Sequence, residues 1–313
     1  MITVLFCLSH CAQSEERRTD LYKLRVMTFN VLHGGTKRGQ PLSQTAKVIQ
    51  LANADMVGLQ EIGGNIEELA NLLGWNHLRF GGSGIVTRFE ISERYKDGIK
   101  VRLDSGLEAY IFSVHLKPAP YQPYQLLEIP YGNALFLKTE QEAIAAAKTA
   151  RGSQVEALLT QIAALPHVGL PTFIVGDFNE PSHLDWSEAA AKAGTHPIKV
   201  SFPTSLAMAL ADFADAWRTI YPDEVQKPGF TWSPLTTPDD PKDHHDRIDF
   251  VYFKGEGIKV DEVKVVGEDQ TNADLVLAPY PSDHRAVVAT FTDHRNSKVN
   301  KGDAKNLDVG AGR

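Results

Sequence analysis

The sequence predicts a layered α/β fold, because short apolar segments typical of β-strands alternate along the chain with helical patterns. Seven strand segments are rich in Val, Ile, Phe and Tyr: 24–29, 56–59, 85–87, 109–114, 172–175, 248–253 and 286–290. Six of them end at, begin after or are interrupted by an acid, an amide or an imidazole. Ligand sites in layered folds form outside strand ends, where loops bring together polar groups from distant segments.

Helical patterns fill the intervals between the strands. Helices are predicted over 42–51 with Ser43 as N-cap, over 65–73 with Asn65 as N-cap and Gly74 after the end, over 182–193 and over 206–218. An Ala-rich helix begins at Thr139, where Glu142 completes a capping box, and a separate helix is predicted over 153–165. Two segments are predicted loops, the Pro- and Tyr-rich 117–131 and the Asp-, Pro- and His-rich 234–246.

Length and composition indicate one large globular domain over 21–292. The chain has 313 residues, 42% hydrophobic and 23% charged, and the candidate site residues extend from Asn30 to His284. Its net charge of -7 argues against a tight nucleic-acid binder, which neutralises many phosphates with a basic face. A catalytic nuclease needs only a local positive patch and stays open.

The first twenty residues are predicted to be a signal peptide or a disordered leader. The apolar segment 2–8 is followed by small or polar residues, which favours a signal peptide and a secreted or periplasmic location; the alternative is a cytoplasmic protein. The two cysteines, Cys7 and Cys11, both lie in this leader, so the sequence offers the rest of the chain neither disulfides nor a cysteine zinc site. A polar tail over 293–313 is predicted to be disordered, and no transmembrane segment is predicted.

The polar residues at the strand ends have the chemistry that phosphodiester hydrolysis requires. They are Asn30, Glu61, His115, Asp177, Asn179, Asp249, Asp283 and His284. The reaction needs an activated water, neutralised phosphoryl oxygens and help for the leaving alkoxide. Mg²⁺ suits these tasks, since it prefers oxygen ligands and binds through one or two carboxylates. We therefore expect Mg²⁺, with Mn²⁺ or another divalent cation as the alternative.

Each residue type suggests a role. Glu61 is the foremost candidate metal ligand, with Asp283 and Asn30 beside it. Asp177 could orient or deprotonate the attacking water, and Asn179 could hydrogen-bond the phosphoryl group. His284, paired with Asp249, is expected to be an imidazole held in one tautomer, and His115 could donate to a phosphoryl oxygen.

These motifs, in this order, resemble the endonuclease/exonuclease/phosphatase superfamily over about residues 24–291. The resemblance implies a four-layered α/β sandwich of two packed mixed sheets flanked by helices. It also implies metal-dependent cleavage of a phosphate ester by direct attack of water, with the roles given above. It leaves the general base open between His284 and Asp177. Two further segments fit the family, GGSGIVTRFEI with Arg88 and GFTWS with Trp232.

Candidate substrate contacts are Arg88, Tyr121, Tyr124, Trp232 and His245. Where the DNA-repair branch carries a Tyr-containing motif, this chain has SVHL, which points to the nuclease, sphingomyelinase and general phosphodiesterase branches. The segment DPKDHHDRID adds two loop histidines, which are expected to be solvated. The less favoured reading is that they contact substrate or a second metal.

The sequence therefore predicts a Mg²⁺-dependent phosphodiesterase. Its aromatic insertion after His115 is expected to cover the site and favour a small or lipid-like leaving group. The alternatives, in order, are a non-specific extracellular endonuclease acting on DNA or RNA, a phosphomonoesterase and an inactive scaffold. The expected partner is a phosphate-ester substrate, and no obligate protein partner is inferred.

Overall fold

A computed structural model describes residues 22–166 and 169–295, and the strands of this part of the chain form two mixed sheets. In chain order they are β1 Tyr22–Asn30, β2 Met56–Gln60, β3 Asn76–Phe80, β4 Ser83–Thr87, β5 Glu90–Arg94, β6 Gly98–Arg102, β7 Glu108–His115, β8 Thr172–Asp177, β9 Ala214–Asp215, β10 Asp249–Lys254, β11 Ile258–Gly267, β12 Leu275–Val276 and β13 Ala286–Asp293. One sheet has the order β12-β11-β13-β1-β2-β4-β3 and the other β5-β6-β7-β8-β10-β9. β1 is parallel to β2 and β7 to β8, next to antiparallel neighbours.

The two sheets pack face to face. The core between them joins Val26 and Met56 of the seven-stranded sheet to Ile111 and Phe173 of the six-stranded sheet, all fully buried. Their closest approach needs a glycine, because a Cβ on Gly58 would lie 2.3 Å from Val175 Cγ2. At the same level Gln60 Nε2 donates to Ser113 Oγ across the sheets at 3.0 Å. The ends of β2 and β7 are therefore fixed against each other.

Helices cover the two outer faces. They are α1 Leu42–Leu51, α2 Ile66–Leu73, α3 Gln122–Leu126, α4 Glu140–Ala163, α5 Glu188–Lys192, α6 Pro203–Leu210 and α7 Ala216–Ile220. α1 and α2 pack on the seven-stranded sheet, and α4 and α6 on the six-stranded sheet. The predicted four-layered α/β sandwich is confirmed.

Helix ends follow the sequence signals in part. The capping box of Thr139 and Glu142 is formed as predicted, and Gly74 ends α2 in the left-handed conformation at φ 70°. The prediction for Ser43 is wrong, since α1 has Pro41 at its N-cap position and no side-chain cap. Asn65 is the N-cap of α2, but its side chain makes no capping hydrogen bond.

The separate helix over 153–165 was predicted wrongly, because α4 runs without a break through Gly152. One stripe of this helix stays buried on both sides of the glycine, from Ala147 through Arg151 to Val155. Packing of that stripe compensates for the glycine, which costs about 1 kcal/mol in a helix interior.

Two other helix predictions were too long. Within 182–193 the helix occupies only Glu188–Lys192, with Ser187 as its cap, because the preceding turn buries Trp186 and Asp185. The region 206–218 holds two short helices, not one. The chain turns at Asp212 with φ 64°, and Asp215 caps a new helix by accepting from Trp217 N.

All seven predicted strands are present, and six others were missed: β3, β5, β6, β9, β11 and β12. The longest of these, β11, contains a bulge between Val260 and Glu262 that interrupts the alternation of apolar and polar residues. The predicted loop 117–131 contains the short helix α3, whereas 234–246 has no helix or strand.

The terminal predictions fall largely on undescribed residues. The leader over 1–20 lies outside the described ranges, as does the predicted tail from residue 296 onward. β13 continues to Asp293, one residue beyond the predicted domain limit, and Arg295 pairs with Asp293 and donates to Glu108 O. Within the described part of the chain, no helix combines the length and apolarity needed to span a membrane.

Candidate active site

Six strands bring polar side chains to one edge of the sandwich. β7, β8 and β10 pair so that His115, Asp177 and Asp249 lie in one row across the six-stranded sheet. At the same edge Asn30 ends β1 beside the end of β2, which leads into Glu61. The segment before β13 supplies Asp283 and His284, and Ser282 Oγ ties it to β1 by donating to Asn30 O at 2.6 Å. The structure thus brings together all eight residues predicted as catalytic or metal-binding.

Asp177 lies at the centre of this edge. Its carboxylate is buried and accepts from Asn30 Nδ2 at 3.0 Å, from Asn179 N at 2.8 Å and from Asn179 Nδ2 at 3.3 Å. Two imidazole nitrogens face the same oxygen, His115 Nε2 at 3.5 Å and His284 Nε2 at 3.8 Å. Asp177 therefore contacts side chains from four other strands or loops.

Glu61 is held in a strained turn next to this centre. Its backbone has φ 59°, a left-handed conformation that is uncommon for a residue with a side chain. One carboxylate oxygen accepts from His33 N at 2.9 Å, and the other lies 3.4 Å from Asn30 Nδ2. Burial acts to raise the pKa of Glu61, but the hydrogen bond from His33 N and the nearby His115 outweigh it, so the pKa is lowered. Glu61 is therefore an anion at neutral pH.

His284 and Asp249 form the predicted imidazole–carboxylate pair. Nδ1 of His284 lies 2.9 Å from Oδ2 of Asp249, and both side chains are buried. Thr231 Oγ1 accepts from the backbone N–H of Asp249 at 3.2 Å and fixes the carboxylate from behind. Burial lowers the pKa of His284, but the facing carboxylates of Asp249 and Asp177 raise it more, to about 10. Nε2 of the imidazole points toward Asp177.

The donor set at this edge fits a divalent cation. Glu61, Asp177, Asp249 and Asp283 face only two imidazoles, so the cluster is negative unless a cation joins it. One oxygen of Asp283 and one of Asp249 are buried without a hydrogen-bond partner. Buried carboxylate oxygens without partners are costly and are normally satisfied by hydrogen bonds or metal ions. Hard oxygen donors of this kind suit Mg²⁺ or a similar ion.

Aromatic side chains form one wall of the site. Trp232 lies beside His284, with ring centroids 6.3 Å apart, and its backbone bridges to His284. Tyr121 and Tyr124 pack edge-on or tilted against Trp232, each with centroids 5.7 Å apart. Both tyrosines are buried, so of these three predicted substrate contacts only Trp232 is partly exposed.

Two other predicted substrate contacts lie elsewhere. Arg88 sits at the opposite end of β4 and pairs with Asp55 and Asp104 at 2.9 Å each, a strand length away from Glu61. His245 is buried, and its Nε2 lies 2.9 Å from Thr236 Oγ1, so the expectation of a solvated residue is wrong for His245. The structure does not bring Arg88 to the site.

Residues that position the site were missed from the sequence, Arg151 above all. Its guanidinium is fully buried, donates to the carbonyl of Asn179 and to Gln122 Oε1, and lies 3.8 Å from Glu180. It thereby holds the turn that carries Asn179. A signal was present, since Arg151 occupies the buried stripe of an Ala-rich helix, where an arginine needs a specific partner.

Comparisons with known proteins agree with this geometry. The model of the Endonuclease/Exonuclease/phosphatase family matches residues 27–284. An uncharacterized Caenorhabditis elegans protein, F14F9.5, is 31% identical over 327 residues, covering 93% of this chain and 99% of its own length. Truncated Caenorhabditis elegans TDP2 superposes with a TM-score of 0.52 at 19% identity, covering 87% of this chain and 98% of its own. An AP endonuclease from Archaeoglobus fulgidus gives 0.53 at 17% identity, covering 85% and 98%. At these identities the two structures show a shared fold.

Proposed function

Because the chain belongs to the Endonuclease/Exonuclease/phosphatase family, whose members hydrolyse phosphate esters with divalent metals, we propose that it is a Mg²⁺-dependent phosphodiesterase. The observation that carries this proposal is the arrangement around Asp177. Asn30, Asn179, His115 and His284 all direct polar hydrogens or ring nitrogens at its carboxylate. A site of this kind can hold a water and a phosphoryl group together. Mn²⁺ or another divalent cation is the alternative to Mg²⁺.

The side chains divide the chemistry between them. Asp177 orients the attacking water and accepts its proton, since its carboxylate is the acceptor that the other groups surround. His284 stays protonated beside Asp249 and donates from Nε2 to a phosphoryl oxygen, and His115 donates to another. This arrangement assigns the general base to Asp177. Bound through Glu61, Asp283 and Asn30, a divalent cation would neutralise charge on the phosphoryl group.

The aromatic wall favours a small or lipid-like leaving group over long duplex DNA. Ring contacts run from His284 through Trp232 and Tyr124 to Tyr131, each step at 5.7 to 6.3 Å between centroids. Tyr131 is 43% exposed, and beyond it Leu135 and Phe136 are exposed at 81% and 46%. An apolar edge next to a catalytic imidazole offers a surface for an apolar group. The net charge of -7 points the same way, since long nucleic acids would be repelled.

The first experiment compares an aryl phosphodiester with the matching monoester, in Mg²⁺, Mn²⁺ and chelator. We expect chelator-sensitive turnover with preference for the diester. His284→Ala should lose most of this turnover and remain folded. Preference for the monoester would move the protein to a phosphatase, and turnover that survives chelation, or survives in His284→Ala, would overturn the proposal.

The leaving-group assignment is tested by replacing Tyr131, Leu135 and Phe136 together with alanine. We expect hydrolysis of a vesicle-borne phosphodiester to fall more steeply than hydrolysis of a soluble aryl diester. Leu210→Ala is the matched control, since Leu210 is 79% exposed and lies in α6, outside the aromatic wall. Equal effects on both substrates would contradict the assignment, and efficient plasmid nicking with a steep salt dependence would favour the endonuclease.

A secreted or periplasmic location stays a prediction from the first twenty residues. Mass spectrometry of the protein purified from its native source would test it, because removal of a signal peptide shortens the N-terminus.

A further inference from the structure

Two histidines and an aspartate meet outside the catalytic edge, behind the aromatic wall. Nδ1 of His196 lies 3.0 Å from Nε2 of His244, and Nε2 of His244 lies 4.0 Å from Oδ1 of Asp246. One ligand atom from each residue falls within 4.8 Å of the other two. Bound to one zinc ion at about 2.0–2.1 Å, such atoms are separated by roughly 3.4 Å in a tetrahedral site. The observed distances lie on both sides of that value.

From this geometry we propose that His196, His244 and Asp246 form a second metal site, selective for Zn²⁺ or a similar transition metal. Two imidazoles and one carboxylate are a donor set that zinc accepts and that magnesium, which prefers oxygen, does not. When metal binds, it replaces the hydrogen bond between the imidazoles, and the imidazole that donates changes tautomer so that both nitrogens offer a lone pair.

The three ligands are already oriented by their surroundings. The ring of His196 stacks on Trp186 with centroids 4.3 Å apart and an angle of 13°. The carboxylate of Asp246 is buried and accepts from Trp186 Nε1 at 2.8 Å and from Tyr121 Oη at 2.6 Å. Hydrogen bonds of this kind fix metal ligands in many proteins and change affinity by about 10–100-fold when lost. The ligands thus need little rearrangement.

The site has access from solvent and room for a fourth ligand. A cavity of about 580 Å³ is lined by His196 and His244 together with Thr195, Phe230 and Pro238. His244 is only partly buried, so its imidazole can be reached from the cavity. Three protein ligands and one open position describe a metal site that also takes water or a small anion.

Occupation of this site would stiffen the wall of the catalytic site. The backbones of Asp246 and Trp232 pair in both directions, at 3.0 Å and 2.9 Å, and Trp232 bridges in turn to His284. A metal on the Asp246 side chain is therefore three residues' contacts away from the catalytic imidazole. The site is separate from the proposed Mg²⁺ ligands, so its test does not depend on the proposed activity.

The test uses full-length, tag-free protein with Cys7→Ser and Cys11→Ser, because these thiols and a histidine tag would also bind metal. With Mg²⁺ in excess, Co²⁺ is titrated by absorbance and Zn²⁺ by calorimetry. We expect one equivalent to bind with the absorption of tetrahedral cobalt. His244→Ala should weaken Zn²⁺ by more than the roughly 100-fold upper range for an outer hydrogen bond. Tyr121→Phe should weaken it by about 10–100-fold.

Two variants serve as controls. Asp283→Asn removes a proposed Mg²⁺ ligand, and His77→Ala removes a histidine on β3; both should keep the cobalt band. Loss of the band in Asp283→Asn would place the metal at the catalytic edge and overturn the proposal, as would full binding by His244→Ala.

X-ray absorption of the zinc-loaded protein gives an answer that needs no variant, which matters if the buried His196 cannot be replaced without unfolding. Two imidazoles per zinc would support the site. One or none would show that the histidine pair is only a hydrogen-bonded contact.

Discussion

Two buried charge clusters lie on either side of one short segment, and they differ in balance. Arg247 lies 2.8 Å from both Asp185 and Asp215, and Arg218 lies 2.6 Å from Asp185. Two residues further on, Asp249 faces the catalytic edge. The first cluster has two arginines for two aspartates. The catalytic edge has four carboxylates for two imidazoles, and some of its buried oxygens have no partner.

The difference shows how a fold separates structure from function. A balanced buried network satisfies its own charges and depends on each of its members. An unbalanced one costs stability unless a ligand completes it, and such local conflicts are typical of functional sites. We therefore expect the balanced cluster to govern folding and the unbalanced edge to govern activity and cation binding.

The largest effect should come from Asp177→Asn. Loss of the carboxylate that surrounds the reacting water is expected to lower turnover about 10²–10⁴-fold, the usual contribution of general acid–base catalysis. Removing one charge from an edge with excess carboxylates also relieves repulsion, so stability in chelator should fall far less than in Asp185→Asn. Steady-state kinetics and urea unfolding measure the two quantities. A large stability loss with normal turnover would reverse the comparison.

Asp185→Asn should show the opposite pattern. Arg218 and Arg247 would lose a shared anion in a buried position, and breaking a buried ion pair costs about 3–5 kcal/mol of unfolding free energy. Urea unfolding tests this, with Asp239→Asn as the control because Asp239 lies exposed in the 234–246 loop. At a temperature where the variant is folded, its turnover should remain near normal. A change below about 0.5 kcal/mol, the usual range for surface substitutions, would contradict the structural role.

A divalent cation should stabilise the unbalanced edge. A ligand that binds only the folded state at a hundred times its Kd adds about 2.7 kcal/mol. We expect Mg²⁺ to raise the melting temperature of the wild type, and Asp283→Asn to lose most of that increase. Calorimetry with Mg²⁺ and with chelator makes the measurement. Equal increases in the wild type, Asp283→Asn and Glu61→Gln would place the stabilising ion elsewhere.

The smallest effect concerns pH. Burial acts to raise the pKa of Asp185, but Arg247 and Arg218 outweigh it and lower the pKa below the usual value. The stability that this carboxylate contributes is then fully present above the unfolded-state pKa of about 3.9 and is lost as pH falls through the lower folded-state pKa. The stability difference between wild type and Asp185→Asn should therefore be constant from about pH 5 to 7 and shrink below about pH 4. A difference that grows toward low pH would give the wrong sign.

Much of the site could be predicted because its residues lie at strand ends. Asp177 follows an apolar strand and Asp249 begins another, so the alternation of apolar segments and polar ends was enough to predict them. Arg88 had the same local signal and lies at the other end of its strand. A single sequence gives the position of a residue along a strand but not which end of the sheet faces the ligand. That end depends on whether neighbouring strands are parallel or antiparallel.

The sequence by itself determined the layered fold, the strands that carry the site and the eight residues of the catalytic edge. Periodicity and strand-end polarity are local properties, so they can be read without contacts. Only the tertiary structure decided that Arg151 holds the Asn179 turn, that α4 continues through Gly152 and that His196 meets His244. These pairs are separated by many residues in sequence, and their energies come from packing and burial, which exist only once the chain has folded.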